Sequence, residues 1–82
     1  MKDTLEYIVE SLVKEKTQVG ITQTEDNQTI IYYIKVANED IGRIIGKQGR
    51  IIHSLRTIFK TAGLKKSQNV RIEIVEENQE RK

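Results

Sequence analysis

The sequence predicts a small α+β domain with the element order αββααβ. Apolar residues near the amino terminus recur at helical spacing, and three later stretches alternate apolar and polar residues as strands do. Between them lies IIGKQGRII, Ile44 to Ile52, an apolar helical pattern broken by two glycines. With 82 residues, 37% of them hydrophobic, and with no proline or cysteine, the chain allows one modest core. That core is expected over residues 1–76, with a disordered tail at 77–82.

The first helix is expected over residues 1–15, because Leu5, Ile8, Val9, Leu12 and Val13 share one face at i, i+3, i+4, i+7 and i+8. Asp3 is expected to cap it, with Glu6 completing a capping box. A β-hairpin follows over 17–36. Val19 and Ile21 alternate with polar neighbours, Ile30, Tyr32, Ile34 and Val36 alternate with Ile31, Tyr33 and Lys35, and Glu25 to Gln28 reads as the turn. Tyr32 and Tyr33 then fall on opposite faces, one of them toward the core.

Residues 38–62 read as two helices joined at the glycines. Asn38 is a polar cap, Glu39 and Asp40 suit the positive end of a helix dipole, and Ile41, Ile44 and Ile45 form a short apolar face that Gly46 ends. The longer helix, from Arg50 to Ala62, gathers Ile51, Ile52, Leu55, Ile58, Phe59 and Ala62 within an arc of about 120°. Arg50, His53, Arg56 and Lys60 lie opposite. Gly63 is expected to close this helix in the left-handed conformation, with Leu64 folding back on the last turn. A final strand at 70–76 places Val70, Ile72 and Ile74 opposite Arg71 and Glu73.

Charge divides the chain. Residues 1–40 carry four basic side chains against eight acidic ones, a balance of −4, whereas residues 41–75 carry eight basic ones against Glu73 alone, a balance of +7. A polyanion would meet one end of such a molecule. Without cysteine there is no disulfide or thiolate metal site, and one histidine, His53, assembles no metal cluster; no metal and no cofactor are expected. Asp3, Glu6 and Glu10 interrupt any signal-peptide pattern, and no apolar run approaches a membrane span. A cytoplasmic chain that binds no membrane is the expectation.

Two glycines permit a sharp turn and a close approach by another backbone, and amides at a helix start carry partial positive charge. Lys47 and Arg50 add full charges at the same point, so GKQG is expected to hold a phosphate chain.

IIGKQGRII resembles the signature of the KH domain, an apolar pair followed by GxxG and further apolar residues. The order αββααβ resembles the type II, bacterial arrangement. Over roughly residues 3–76 the chain is similar to the small bacterial single-KH-domain proteins of the KhpA type, with Asn38 standing where proline is usual. The resemblance implies a three-stranded sheet with helices on one face and a groove for single-stranded RNA, its GxxG loop clamping about four nucleotides. Gly42, Arg43, Ile45, Gly46, Lys47, Gln48, Gly49, Arg50 and His53 would form one wall. The strand from Val70 to Ile74 would form the other, with Lys65 and Lys66 reaching the backbone from the variable loop. No aromatic residue lies near the turn for base stacking, so a single groove should bind weakly. The resemblance further implies a homodimer, a complex with a Jag (KhpB)-type KH protein, and an RNA chaperone or post-transcriptional role linked to cell shape and cell wall organisation.

Rival classes fare less well. A Walker A loop needs four residues between its glycines and Ser or Thr after its lysine, whereas Gly42 and Gly46 enclose three residues and Gln48 follows Lys47. No nucleophile has a base and an orienting acid nearby, so an enzyme is not expected. A helix-turn-helix DNA reader, with Arg50 to Lys60 as its recognition helix, and a protein-interaction scaffold remain as alternatives.

Overall fold

A computed structural model describes residues 1–75. Its elements are α1 (Lys2–Leu12), β1 (Gly20–Asp26), β2 (Thr29–Lys35), α2 (Ile41–Ile45), α3 (Arg50–Leu64) and β3 (Asn69–Val75), with single 3-10 turns at Lys16–Gln18, Asn38–Asp40 and Lys47–Gly49. The expected order αββααβ is the one observed. Glu76, expected to end the last strand, and the expected disordered tail lie outside the described residues.

The sheet order is β1-β2-β3, with β1 antiparallel and β3 parallel to β2. The hairpin turn is narrower than the sequence suggests: only Asn27 and Gln28 lie between the strands, both left-handed at φ 52° and 69°. Two left-handed residues in succession match the twist of antiparallel strands, so Glu25 and Asp26 stay paired. Val19, expected in the hairpin, follows the 3-10 turn and precedes β1.

One sheet face carries Ile21, Ile30, Tyr32, Ile34, Val70 and Ile72, all buried against Leu5 and Val9 of α1, Ile44 of α2, and Ile52, Leu55 and Phe59 of α3. Tyr32 is the core tyrosine and Tyr33 lies half-buried on the other face. Ile58 departs from its expected place. It sits at the rim of the apolar arc and is 57% exposed.

Three local expectations are corrected. Asp3 lies inside the first turn of α1, Met1 occupies the N-cap, and no side chain caps the helix. Gly63 is helical and buried within α3, not left-handed after it, and it is glycine for space, since an added Cβ would stand 2.4 Å from Val70 Cγ2; the left-handed residue is Ser67, at φ 59°. Leu64 is accordingly 59% exposed and does not fold back.

Asp40 caps nothing in α2. Its carboxylate turns back to accept 3.0 Å hydrogen bonds from the amides of Lys14 and Glu15, just past the end of α1. It is the one fully buried charged side chain among the described residues, and it joins the α1 exit to the segment that carries the glycine turn.

Candidate nucleic-acid interface

The turn between α2 and α3 is built from left-handed backbone. Gly46 (φ 78°), Gln48 (φ 59°) and Gly49 (φ 75°) all lie there, a conformation that glycine adopts freely and that glutamine tolerates at a cost. Gly46 has a second reason to lack a side chain: a Cβ would come within 2.6–2.9 Å of the Ile51 side chain. Around Gly49 there is open space, with nothing within 4 Å of its would-be Cβ, so another backbone can approach there.

The donors of the turn differ from the expected set. The Gly49 amide donates to Gly46 O at 3.1 Å and the Arg50 amide to Lys47 O, so the amides at the helix start turn inward. Lys47, Gln48 and Arg50 are exposed, and neither cation has a carboxylate partner among the described residues. Exposed positive charge and open space beside Gly49 thus share the turn.

Arg43, exposed on α2, lies 3.5 Å from Asp40 Oδ1 and is the outer partner of that buried carboxylate. The Asp40 carboxyl is held below its ordinary 3.8, first by the hydrogen bond from the Glu15 amide, against the opposing effect of burial, and then by the Lys14 amide and the charges of Arg43 and Lys14. Gly42 is exposed beside Arg43, while Ile45 is half-buried under the turn. His53 is exposed on the first turns of α3. Lys65 and Lys66 are exposed at the far end, separated from the turn by a 15-residue helix that is about 22 Å long.

Between the two ends the structure adds residues that the sequence left on a solvated helix face. Arg56 and Lys60 of α3 and Asn69–Glu73 of β3 line a groove of about 380 Å³. Gly63 meets Val70 and Arg56 meets Ile72, so α3 runs antiparallel to β3 and the groove lies between them, over Arg56 and Lys60 of the helix. Arg56 Nε donates to Ile72 O at 3.1 Å, its Nη2 lies 4.0 Å from Glu73, and Arg71 pairs with Glu73 at 3.0 Å. No sequence signal singles out Arg56 among the polar residues of α3, because its partner is a backbone carbonyl on a strand. Among the described residues no cluster of His, Cys, Asp and Glu could hold a metal ion, and no helix is long and apolar enough to cross a membrane.

Comparison with known proteins places this architecture. No solved structure matches the chain. Among curated proteins, the RNA-binding protein KhpA of Clostridium acetobutylicum is 44% identical over 75 residues, which cover 92% of this chain and 100% of the relative. KhpA of Chlamydia caviae is 42% identical over 77 residues (94% and 99%), and KhpA of Listeria monocytogenes 40% over 76 residues (93% and 100%). The KhpA/KhpB KH-domain family model matches residues 2–74, which takes in every helix, every strand but the last residue of β3, and the whole glycine turn; the chain belongs to that family.

Proposed function

We propose that this protein binds single-stranded RNA in the cytoplasm, without catalysing a reaction, through the Gly46–Gly49 turn together with the groove between α3 and β3. The observation that carries the reading is the turn itself, in which left-handed backbone leaves open space at Gly49 beside Lys47 and Arg50, both exposed and without a carboxylate partner among the described residues. A phosphate seated there meets hydrogen-bond donors and full positive charge together. Relatives at 40–44% identity carry the name RNA-binding protein, which supports the same assignment.

In this reading Gly42, Arg43, Ile45 and the turn grip the backbone, with Arg50 and His53 along the wall, and Lys65 and Lys66 attract the far end of the strand. No aromatic side chain lines the groove, so affinity per domain is low. A homodimer, or a complex with a Jag (KhpB)-type KH protein, raises the effective concentration of a second groove. The exposed apolar side chains of Ile58 and Leu64 give such pairing a surface to cover. An RNA chaperone or post-transcriptional regulator of cell shape and wall organisation is the physiological role this implies.

Fluorescence anisotropy with a short labelled RNA, single-stranded and as its duplex, tests the reading. The single strand should bind more tightly, with a log–log salt slope of about −2 to −3, at about −0.7 per phosphate neutralised. Lys47→Asp/Gln48→Asp should abolish binding while leaving the urea midpoint near wild type, since both side chains are exposed. Retained binding in that variant sinks the site assignment; a duplex preference favours the DNA-reader alternative, and no binding to either favours a protein-interaction scaffold.

A further inference from the structure

The buried carboxylate of Asp40 is clamped on two sides. Oδ1 accepts the Lys14 amide and Oδ2 the Glu15 amide, each at 3.0 Å. Its carboxyl is held below its ordinary value, so it is ionised at neutral pH. Oδ1 also meets Arg43 Nη1 at 3.5 Å. Arg43 stands three residues before Gly46, about one helical turn from the glycine turn, and its side chain is 50% exposed. An immobile buried anion thus holds one nitrogen of a guanidinium that reaches solvent.

That pairing has two opposite consequences for an approaching phosphate. As a charge, Asp40 offsets Arg43 and weakens the local attraction for a polyanion. As an anchor, it fixes the planar fork while using only one of its five donors. A free arginine loses rotamer freedom when it takes hold of a phosphate, and one already fixed at a nitrogen loses less. Salt and solvent screen the repulsion across an exposed guanidinium, whereas ordering a free side chain costs up to about tenfold in affinity. The anchor therefore outweighs the charge.

We infer that Asp40 is a positioning residue for RNA binding, which holds the Arg43 guanidinium ready for a phosphate beside the Gly46–Gly49 turn. The inference rests on the RNA reading of that turn and deepens it. A buried acid, of the same sign as the ligand, becomes part of the grip.

The sign of one substitution tests it. Removing a carboxylate makes this face more positive, so charge alone predicts that Asp40→Asn binds a short single-stranded RNA more tightly. Positioning predicts the reverse, because a neutral amide oxygen holds a guanidinium less firmly; anisotropy with the full chain should show binding weakened by about three- to tenfold. Glu39→Gln, which removes the neighbouring exposed carboxylate instead, should bind as well as wild type or better. Arg43→Ala should weaken binding, and Asp40→Asn added to it should change nothing further, since the side chain it acts through is gone. Arg43→Lys leaves the buried carboxylate untouched and keeps the charge, yet should lose most of the same binding with the fork. Circular dichroism at the assay temperature confirms that each variant is folded. Tighter or unchanged binding by Asp40→Asn overturns the inference, as does an equal loss with and without Arg43, which marks an effect through the fold. Full binding by Arg43→Ala or Arg43→Lys overturns it too, while the turn's own assignment, tested at Lys47 and Gln48, stands. Failure of wild type to bind RNA removes the RNA reading and this inference with it.

Discussion

The two ends of α3 look alike in the sequence and work differently in the structure. Each combines a glycine, a left-handed residue that is not glycine, and exposed basic side chains: Gly46, Gln48, Lys47 and Arg50 at the head, Gly63, Ser67, Lys65 and Lys66 at the tail. At the head the glycines supply conformation, since Gly46 and Gly49 both have positive φ. At the tail Gly63 keeps helical geometry and supplies space, letting Val70 of β3 close onto the helix. The letter G therefore marks a turn open to a partner in one place and a packed seam between helix and strand in the other.

Substitution should separate the two roles, with the largest effect at the head. Gly46→Ala forces an L-residue to φ 78° and drives its Cβ into Ile51, so a loss of about 2–5 kcal/mol is expected from urea denaturation. Gly49→Ala, with a similar φ but open space around it, should cost only about 1–2 kcal/mol. Equal losses at the two positions would remove packing from the account of Gly46. Gly63→Ala comes next. The overlap with Val70 Cγ2 at 2.4 Å should cost about 1–3 kcal/mol despite the better helix propensity of alanine, and Val70→Ala in the same background should recover part of it. A neutral or stabilising Gly63→Ala would break the comparison, because a helical glycine with room around it gains from alanine.

Asp40 sharpens the contrast, since it braces the head of the helix pair from behind by hydrogen bonds and charge, whereas among the described residues no ion pair ties the tail. Asp40→Asn keeps one acceptor oxygen but sets its NH2 against the other backbone N–H, so a loss of about 1–2 kcal/mol is expected at neutral pH. The signature lies in acid. A carboxyl whose pKa is lowered on folding adds stability that is complete above its unfolded value, 3.8, and is lost as pH falls through the lower folded value. Urea midpoints at about pH 7 and about pH 3 should therefore converge between wild type and Asp40→Asn as the pH drops. Parallel pH profiles would show that Asp40 carries no charge-dependent part of the stability.

Much of this was legible in the chain because period and charge are local. Alternation across Ile30 to Val36 separates the faces of Tyr32 and Tyr33, and the glycine spacing in IIGKQGRII marks the turn and its family resemblance. What escaped depends on partners far away in sequence. Asp40 reads as an acid at the positive end of a helix dipole until the amides of Lys14 and Glu15 meet it, and Gly63 reads as a helix stop until Val70 does. Ile58 has helical spacing for the core yet sits where the narrow sheet leaves it uncovered. Arg56 reads as one more solvated arginine, since a backbone carbonyl on β3 leaves no trace in side-chain letters.

The parallel pairing of β2 with β3 bears on how quickly the groove can form. The β1–β2 hairpin closes over two residues, but Thr29 meets Asn69 only after the whole α2–turn–α3 segment has been laid across the sheet. Such a non-local closure is slow beside hairpin formation and must offset the entropy of a long loop. The glycine turn and its basic neighbours lie inside that loop, and the opposite wall is the strand that completes it. On the proposed RNA reading, a nascent or partly folded chain has the charges for an RNA strand before it has the groove, and ligand binding would report the closure of β3 onto β2.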